Sequence, residues 1–212
     1  ISNRIYRIKS KLIIKIVKLG CLFYKNLRHR WWILYKFIDK NEIKYLVLGE
    51  GTNLVPPDFF DGIVIKPNFN EVLHDSNKKI INVGASVNWH KLVNICIEKN
   101  IYGFENLSLI PGTVGAAPIQ NIGAYGQEVS NLIDKVNCFD IEKGEFKTLN
   151  NSSCKFKYRN SIFKNNSLLI ISVDFKTDCK KEFNIEYNSI INHMDMIGCL
   201  LYTSPSPRDS IR

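Results

Sequence analysis

Two stretches of this sequence are built from residues too small to be there for bulk. The first is Gly49-Glu50-Gly51-Thr52-Asn53, where two glycines and an asparagine permit left-handed backbone angles. Successive N–H groups in such a loop turn toward one centre and form a nest for a phosphate; a tight turn is the plain alternative. The spacing is not the G-x-G-x-x-G dinucleotide fingerprint, because Leu54 stands at the third glycine position and no long helix follows. The second stretch runs from Pro111 to Gly126 and holds four glycines, two prolines and three alanines. It makes a poor helix and a poor solvent loop. Small residues let backbone approach something flat and bulky, and irregular backbone must send its unpaired N–H and C=O groups to that partner. A flat cofactor fits this pattern, and a buried packing turn is the alternative. A third candidate is Tyr158-Arg159, set beside the Asn160-Ser161 turn signal. A guanidinium there could hold a carboxylate bidentately, although alone it reads as a surface residue.

The elements that position these residues follow from periodicity. Tyr45 to Leu48 is a run of strand formers that ends in the first glycine loop, and Gly62–Ile65 and Ile80–Val83 are further strands. Asn88 to Lys99 reads as an amphipathic helix with Trp89, Leu92, Val93, Cys96 and Ile97 on one stripe. His90 lies off that stripe, without a partner at ligand spacing. Gln127 to Lys135 is helical in texture. Val136–Ile141 and Phe146–Leu149 form a hairpin through Glu142-Lys143-Gly144, and Leu168 to Phe175 is a strand.

Composition bounds the function. With 212 residues, 45% hydrophobic and 23% charged, the chain is of ordinary globular type. Its net charge of +9 invites a nucleic-acid or anionic-membrane partner, but residues 1–48 hold twelve basic residues against two acidic ones, and the rest is nearly neutral. Arg28 to Lys36, with Trp31 and Trp32, could form a basic helix on such a surface; a solvated helix with an aromatic core face is the favoured reading. Ile, Lys and Asn together make 74 residues, the bias of an AT-rich gene, which weakens basicity as a sign of nucleic-acid binding. Leu12 to Tyr24 is too short and too charged to span a bilayer. The six cysteines form no C-x-x-C pair and have no histidine at zinc spacing, so no metal site is expected and the thiols read as reduced and cytoplasmic.

Taken in order, Leu48 to Leu54, Val83-Gly84-Ala85 with Asn88-Trp89-His90, Gly103 to Leu107, Pro111 to Gly126 and Tyr158 to Lys164 resemble the UDP-N-acetylenolpyruvoylglucosamine reductase family. The resemblance covers about Tyr45 to Asp174. It implies an α+β fold, two-lobed and FAD-binding, of the vanillyl-alcohol-oxidase type, followed by a substrate domain. It also implies an NADPH-using reduction of a UDP-sugar enolpyruvyl ether in cell-wall synthesis. By this resemblance Gly49, Gly51, Thr52 and Asn53 sit on the FAD pyrophosphate. Gly112, Thr113, Gly115, Ala116, Ile119 and Gly123 line the flavin and its ribityl chain. Tyr158 and Arg159 bind substrate, with Arg159 catalytic through the enolpyruvyl carboxylate. A different flavin oxidoreductase of the same fold, and a basic binding module acting through residues 1–48, are the rival readings.

The chain departs from the family in three places. The family's Gly-Ser-Phe-Phe-Lys-type proton donor and C-terminal glutamate do not occur in these 212 residues. The expectation is therefore an incomplete chain lacking its substrate domain, unable to complete the reduction. Ala116-Ala117 stands where some members carry hydroxyl residues. Residues 1–44 show none of the family's opening strand and helix. The expected organisation is a divergent basic segment over 1–44, the remainder of a first FAD-binding lobe over 45–67, a second lobe over 68–194, and a non-native tail over 195–212. Oligomeric state is left open.

Overall fold

The computed structural model describes residues 9–15, 35–55, 59–165 and 167–179. The tail over 195–212 and nearly all of the basic helix expected at Arg28 to Lys36 lie outside these residues.

A short parallel sheet opens the chain. Strand β1 (Lys9–Lys15), β2 (Tyr45–Val47) and β3 (Phe59–Lys66) are arranged in the order β1-β3-β2, with Leu12 opposite Ile63 and Leu46 opposite Val64. Three successive residues of the central strand, Ile63, Val64 and Ile65, are all buried, the pattern of a parallel strand covered on both faces. A helical segment α1 spans 35–40. Residues 1–44, expected to lack the family's opening strand and helix, hold a strand, β1, and a short helical segment, α1. Lysines at both ends of Lys9–Lys15 hide a strand whose apolar centre is only Leu12-Ile13-Ile14.

The second sheet is antiparallel and has the order β4-β5-β10-β8-β9. Its strands are β4 (Val72–Asp75), β5 (Ile80–Gly84), β8 (Ile133–Asp140), β9 (Glu145–Asn150) and β10 (Leu168–Lys176). A two-residue pair, β6 (Gly123–Ala124) with β7 (Gln127–Glu128), sits apart from it. Helix α2 (Trp89–Glu98) buries Trp89, Leu92, Val93 and Cys96, and its first turn is capped by Asn88, whose side chain accepts from the Lys91 amide. Trp89, Phe104 and Phe175 form a tilted and edge-on aromatic cluster with centroids 5.4–6.2 Å apart. Alternation along β5 buries Ile81 and Val83 in the same core. Asn82, between them, bonds instead with Ser172 and Asp174.

The helix expected over Gln127 to Lys135 is absent. Those residues form β7, a 3-10 turn at Val129–Asn131 and the start of β8. Val129, Leu132, Ile133 and Val136 are buried, and their spacing of three and four imitates a helical stripe. Local bonding overrode it: Val129 N–H donates to the Ile122 carbonyl and Ser130 N–H to the Asn121 side chain. Strand β4, unforeseen, is a short edge strand with Leu73 60% exposed, too polar to read as apolar alternation.

Candidate functional site

Helix α2 and the end of β5 build the site's floor. Gly115 N–H donates to the Ala85 carbonyl, Val114 N–H to Val87, and Trp89 N–H to the Gly112 carbonyl, at 2.8–3.0 Å. This short ladder lays the start of the Pro111 to Gly126 run against residues 85–89, and Trp89 is fixed in turn by its indole N–H on the Leu107 carbonyl at 2.7 Å. The first glycine loop enters from β2 and lands on the same place. A Cβ built on Gly49 would stand 3.1 Å from Thr113 Oγ1, and one on Gly112 would stand 3.4 Å from Thr52 Oγ1. Two segments about sixty residues apart in sequence are thus in contact. Asn88 sits between them, its side-chain amide 3.3 Å from Glu50 Oε1 and 3.5 Å from the Gly112 carbonyl. That bond gives the Glu50 carboxylate a partner within the protein.

What the two segments share is unused backbone. Among the described residues, no acceptor takes the amides of Gly49, Glu50, Gly51, Thr52, Gly112 or Thr113. The loop amides are half-buried or exposed and can reach water, but Gly112 and Thr113 are buried. Buried amides without acceptors are rare and call for a ligand or an ordered water. Gly51 at φ 74° and Gly112 at φ 123° adopt backbone that ordinary side chains resist, the kind of turn that lets successive amides share one centre.

Beyond Thr113 the expectation of open backbone fails. The Ala116 and Ala117 amides both return to the Thr113 carbonyl, Ile119 to Ala116, Asn121 to Pro118 and Ile122 to Ala117, a coil of turns that takes up five of its own amides. Gly115 and Gly123 are small for internal reasons: a Cβ on Gly115 would lie 2.6 Å from Ala85 Cβ, and one on Gly123 would lie 3.0 Å from the Gln127 carbonyl oxygen. Ala116 and Ile119 remain half-buried along this coil.

Tyr158 and Arg159 form the tip of a two-residue turn closed by reciprocal bonds between Lys157 and Asn160 at 2.9 and 3.0 Å. Tyr158 is 83% exposed, and the guanidinium of Arg159 stands 6.0 Å from its ring centroid. Arg159 is in the left-handed region at φ 51° and has no carboxylate partner among the described residues. The turn is tied to the small-residue coil: Ser161 Oγ donates to the Ile119 carbonyl at 2.9 Å, and Asn121 Nδ2 donates to the Lys157 carbonyl at 3.2 Å. Asn121, buried and at φ 43°, was not singled out from sequence; its only signal there was an Asn next to small residues. His90 accepts the Leu109 amide on Nδ1 at 3.3 Å and supports the loop before Pro111.

The described thiols are apart from this chemistry. Burial first, and Glu105 second, pushes Cys96 up to about 12, and burial likewise pushes Cys138 up to about 11 and Cys154 up to about 12. Among the described residues no cluster of His, Cys, Asp and Glu could hold a metal, and no helix is long and apolar enough to cross a membrane.

The family model described as FAD binding domain matches residues 33–150. The UDP-N-acetylenolpyruvoylglucosamine reductase of Amoebophilus asiaticus is 45% identical over 151 residues, covering 68% of this chain and 44% of that protein. That of Pseudoalteromonas translucida is 50% identical over 122 residues, 57% of this chain and 36% of that protein. That of Chromobacterium violaceum is 38% identical over 174 residues, 79% and 50% respectively. The chain therefore spans half or less of the length of these curated relatives. Among solved structures, the UDP-N-acetylenolpyruvylglucosamine reductase of Thermus caldophilus superposes with a TM-score of 0.52 at 23% identity, covering 78% of this chain and 58% of that one. At that identity the likeness concerns the fold, which is the α+β type expected.

Proposed function

The chain belongs to the FAD binding domain family, and from that premise we propose that it carries the cofactor site and the carboxylate clamp of a UDP-N-acetylenolpyruvoylglucosamine reductase. The observation that supports this most is the convergence of acceptor-free amides from the Gly49–Thr52 loop and from Gly112–Thr113. The donor set suits the group: two phosphates offer acceptor oxygens, and neutral amides in a nest take them without a competing proton. Gly49, Gly51, Thr52 and Asn53 hold the pyrophosphate in this reading. Gly112 and Thr113, with the half-buried Ala116 and Ile119, line the path of the flavin and ribityl chain, and Gly115 and Gly123 back that wall from within.

When bound, the flavin supplies the hydride for reduction of the enolpyruvyl double bond and takes its replacement from NADPH. This chain supplies the carboxylate clamp, while the proton that completes the reduction comes from a donor not found among these 212 residues. Arg159 holds the substrate carboxylate, and its charge acts more strongly as negative charge grows there in the transition state than on the neutral alkene. Tyr158, exposed beside it, covers the substrate. The product of such a reaction is UDP-N-acetylmuramate, used in peptidoglycan, and in this reading the activity is cytoplasmic.

Titrating the purified chain with FAD tests the reading directly. Saturable quenching of flavin fluorescence, together with a retained yellow colour after desalting, is the expected result. A chain that stays colourless and leaves flavin fluorescence unchanged retires it.

A further inference from the structure

The Tyr158–Arg159 turn sits on the surface, yet its arginine must meet a substrate at a fixed place relative to the small-residue coil. We infer that Asn121 is the positioning residue that sets this place, an inference that rests on the reading of Arg159 as the carboxylate clamp. Asn121 is 1% exposed and spends its side chain on three elements at once. Its Nδ2 donates to Glu128 Oε2 at 2.7 Å on β7 and to the Lys157 carbonyl at 3.2 Å under the arginine turn, and its Oδ1 accepts the Ser130 amide at 3.1 Å. The Lys157 carbonyl already accepts the Asn160 amide that closes the turn, so Asn121 fills its second lone pair. The turn thereby gains a fixed bearing on the coil at a buried point, where a hydrogen bond is hard to replace by water. The second tie, Ser161 Oγ to the Ile119 carbonyl, comes from the far side of the turn. Asparagine suits the position twice over, because it supplies two donors and an acceptor and because it tolerates the left-handed φ of 43°.

The same geometry supplies the test. Trypsin cuts after Arg159 only when the turn opens, and the cut after Lys143, in the β8–β9 turn, reports opening elsewhere. Asn121→Asp keeps the size, the backbone tolerance and the acceptor for Ser130 but loses both donors and places a carboxylate against Glu128. Adding Glu128→Gln restores a donor between those two side chains and leaves only the Lys157 tie broken. The double variant of the 212-residue chain should be cut after Arg159 about tenfold faster than wild type, the scale of one lost hydrogen bond, with cutting after Lys143 unchanged. Glu128→Gln alone should change neither rate. Equal rates at Arg159 in the double variant and wild type, or equal acceleration at both bonds, would overturn the inference. FAD uptake in the same samples is scored separately. Its failure in wild type removes the flavin reading, while the trypsin ratio, which needs no ligand, still decides whether Asn121 holds the arginine turn.

Discussion

The two small-residue stretches meet at one spot but use their glycines for opposite ends. In the loop from Gly49 the small residues leave amides that no acceptor among the described residues takes. In the coil after Thr113 the smallness is consumed internally, because Ala85 and Gln127 already occupy the space where side chains of Gly115 and Gly123 would go. Glycine density is therefore an ambiguous sign of a cofactor site. An amide without an acceptor is a better one, because backbone satisfaction is so nearly complete elsewhere.

The largest expected effect breaks the fold and spares the ligand. Gly115→Val places its Cβ 2.6 Å from Ala85 Cβ and 3.0 Å from the Ala85 carbonyl, both held by the ladder to residues 85–89. Overpacking of this kind costs about 3 kcal/mol, and should lower the melting temperature by roughly 6–12 °C for a chain of this size. FAD affinity of the folded fraction should stay within about twofold. A variant with an unchanged melting temperature and no FAD uptake would reverse the assignment of the two stretches.

A turn whose amides are all taken provides the intermediate case. Asp140, buried at the end of β8, accepts the amides of Glu142 and Lys143, the hydroxyl of Ser167 and the ammonium of Lys147. Burial alone would raise its carboxyl, but the bonds from Lys147, Ser167 and Lys143 outweigh it and hold the group below its usual value. Asp140→Asn should cost about 1–2 kcal/mol at neutral pH and leave FAD binding untouched. A depressed carboxyl stabilises above its unfolded pKa and loses that contribution as pH falls through the folded value. The gap between wild type and variant in urea melts should accordingly stay constant from neutrality down to about pH 4 and close below it. A gap that widens on acidification would contradict the bonding described.

Residue patterning made much of this legible in advance, and the exceptions share a cause. Helix α2, β5, the β8–β9 hairpin and β10 were readable because their burial has a clean period or a clear turn signal, as with Trp89, Leu92, Val93 and Cys96. The segment from Gln127 reads as a helix because its buried residues mimic a helical stripe, while the Asn121 side chain, 9 residues back, takes the Ser130 amide. The glycine loop and the arginine turn could be named from sequence. Their arrangement could not, since the contact of Gly49 with Thr113 and the Asn121 bond to Lys157 join residues 36 to 64 positions apart. Local pattern carries no information on pairing at that range.

The smallest expected change is the sharpest probe of the loop. A Cβ on Gly51 would meet only Leu48 Cδ1, at an ordinary 3.8 Å, so Gly51→Ala meets no steric obstacle and acts through its φ of 74° alone. In the free protein the exposed loop can relax toward negative φ, and stability should fall by less than about 1 kcal/mol. Binding a phosphate demands the left-handed geometry back, a cost of roughly 1–2 kcal/mol for alanine, so FAD affinity should fall about tenfold while the melting curve barely moves. Gly51→Asn, which tolerates left-handed backbone, should recover most of that affinity. Equal affinity in wild type and Gly51→Ala would mean that the amides of this loop point at nothing, and the nest would have to be sought at Gly112 and Thr113 alone.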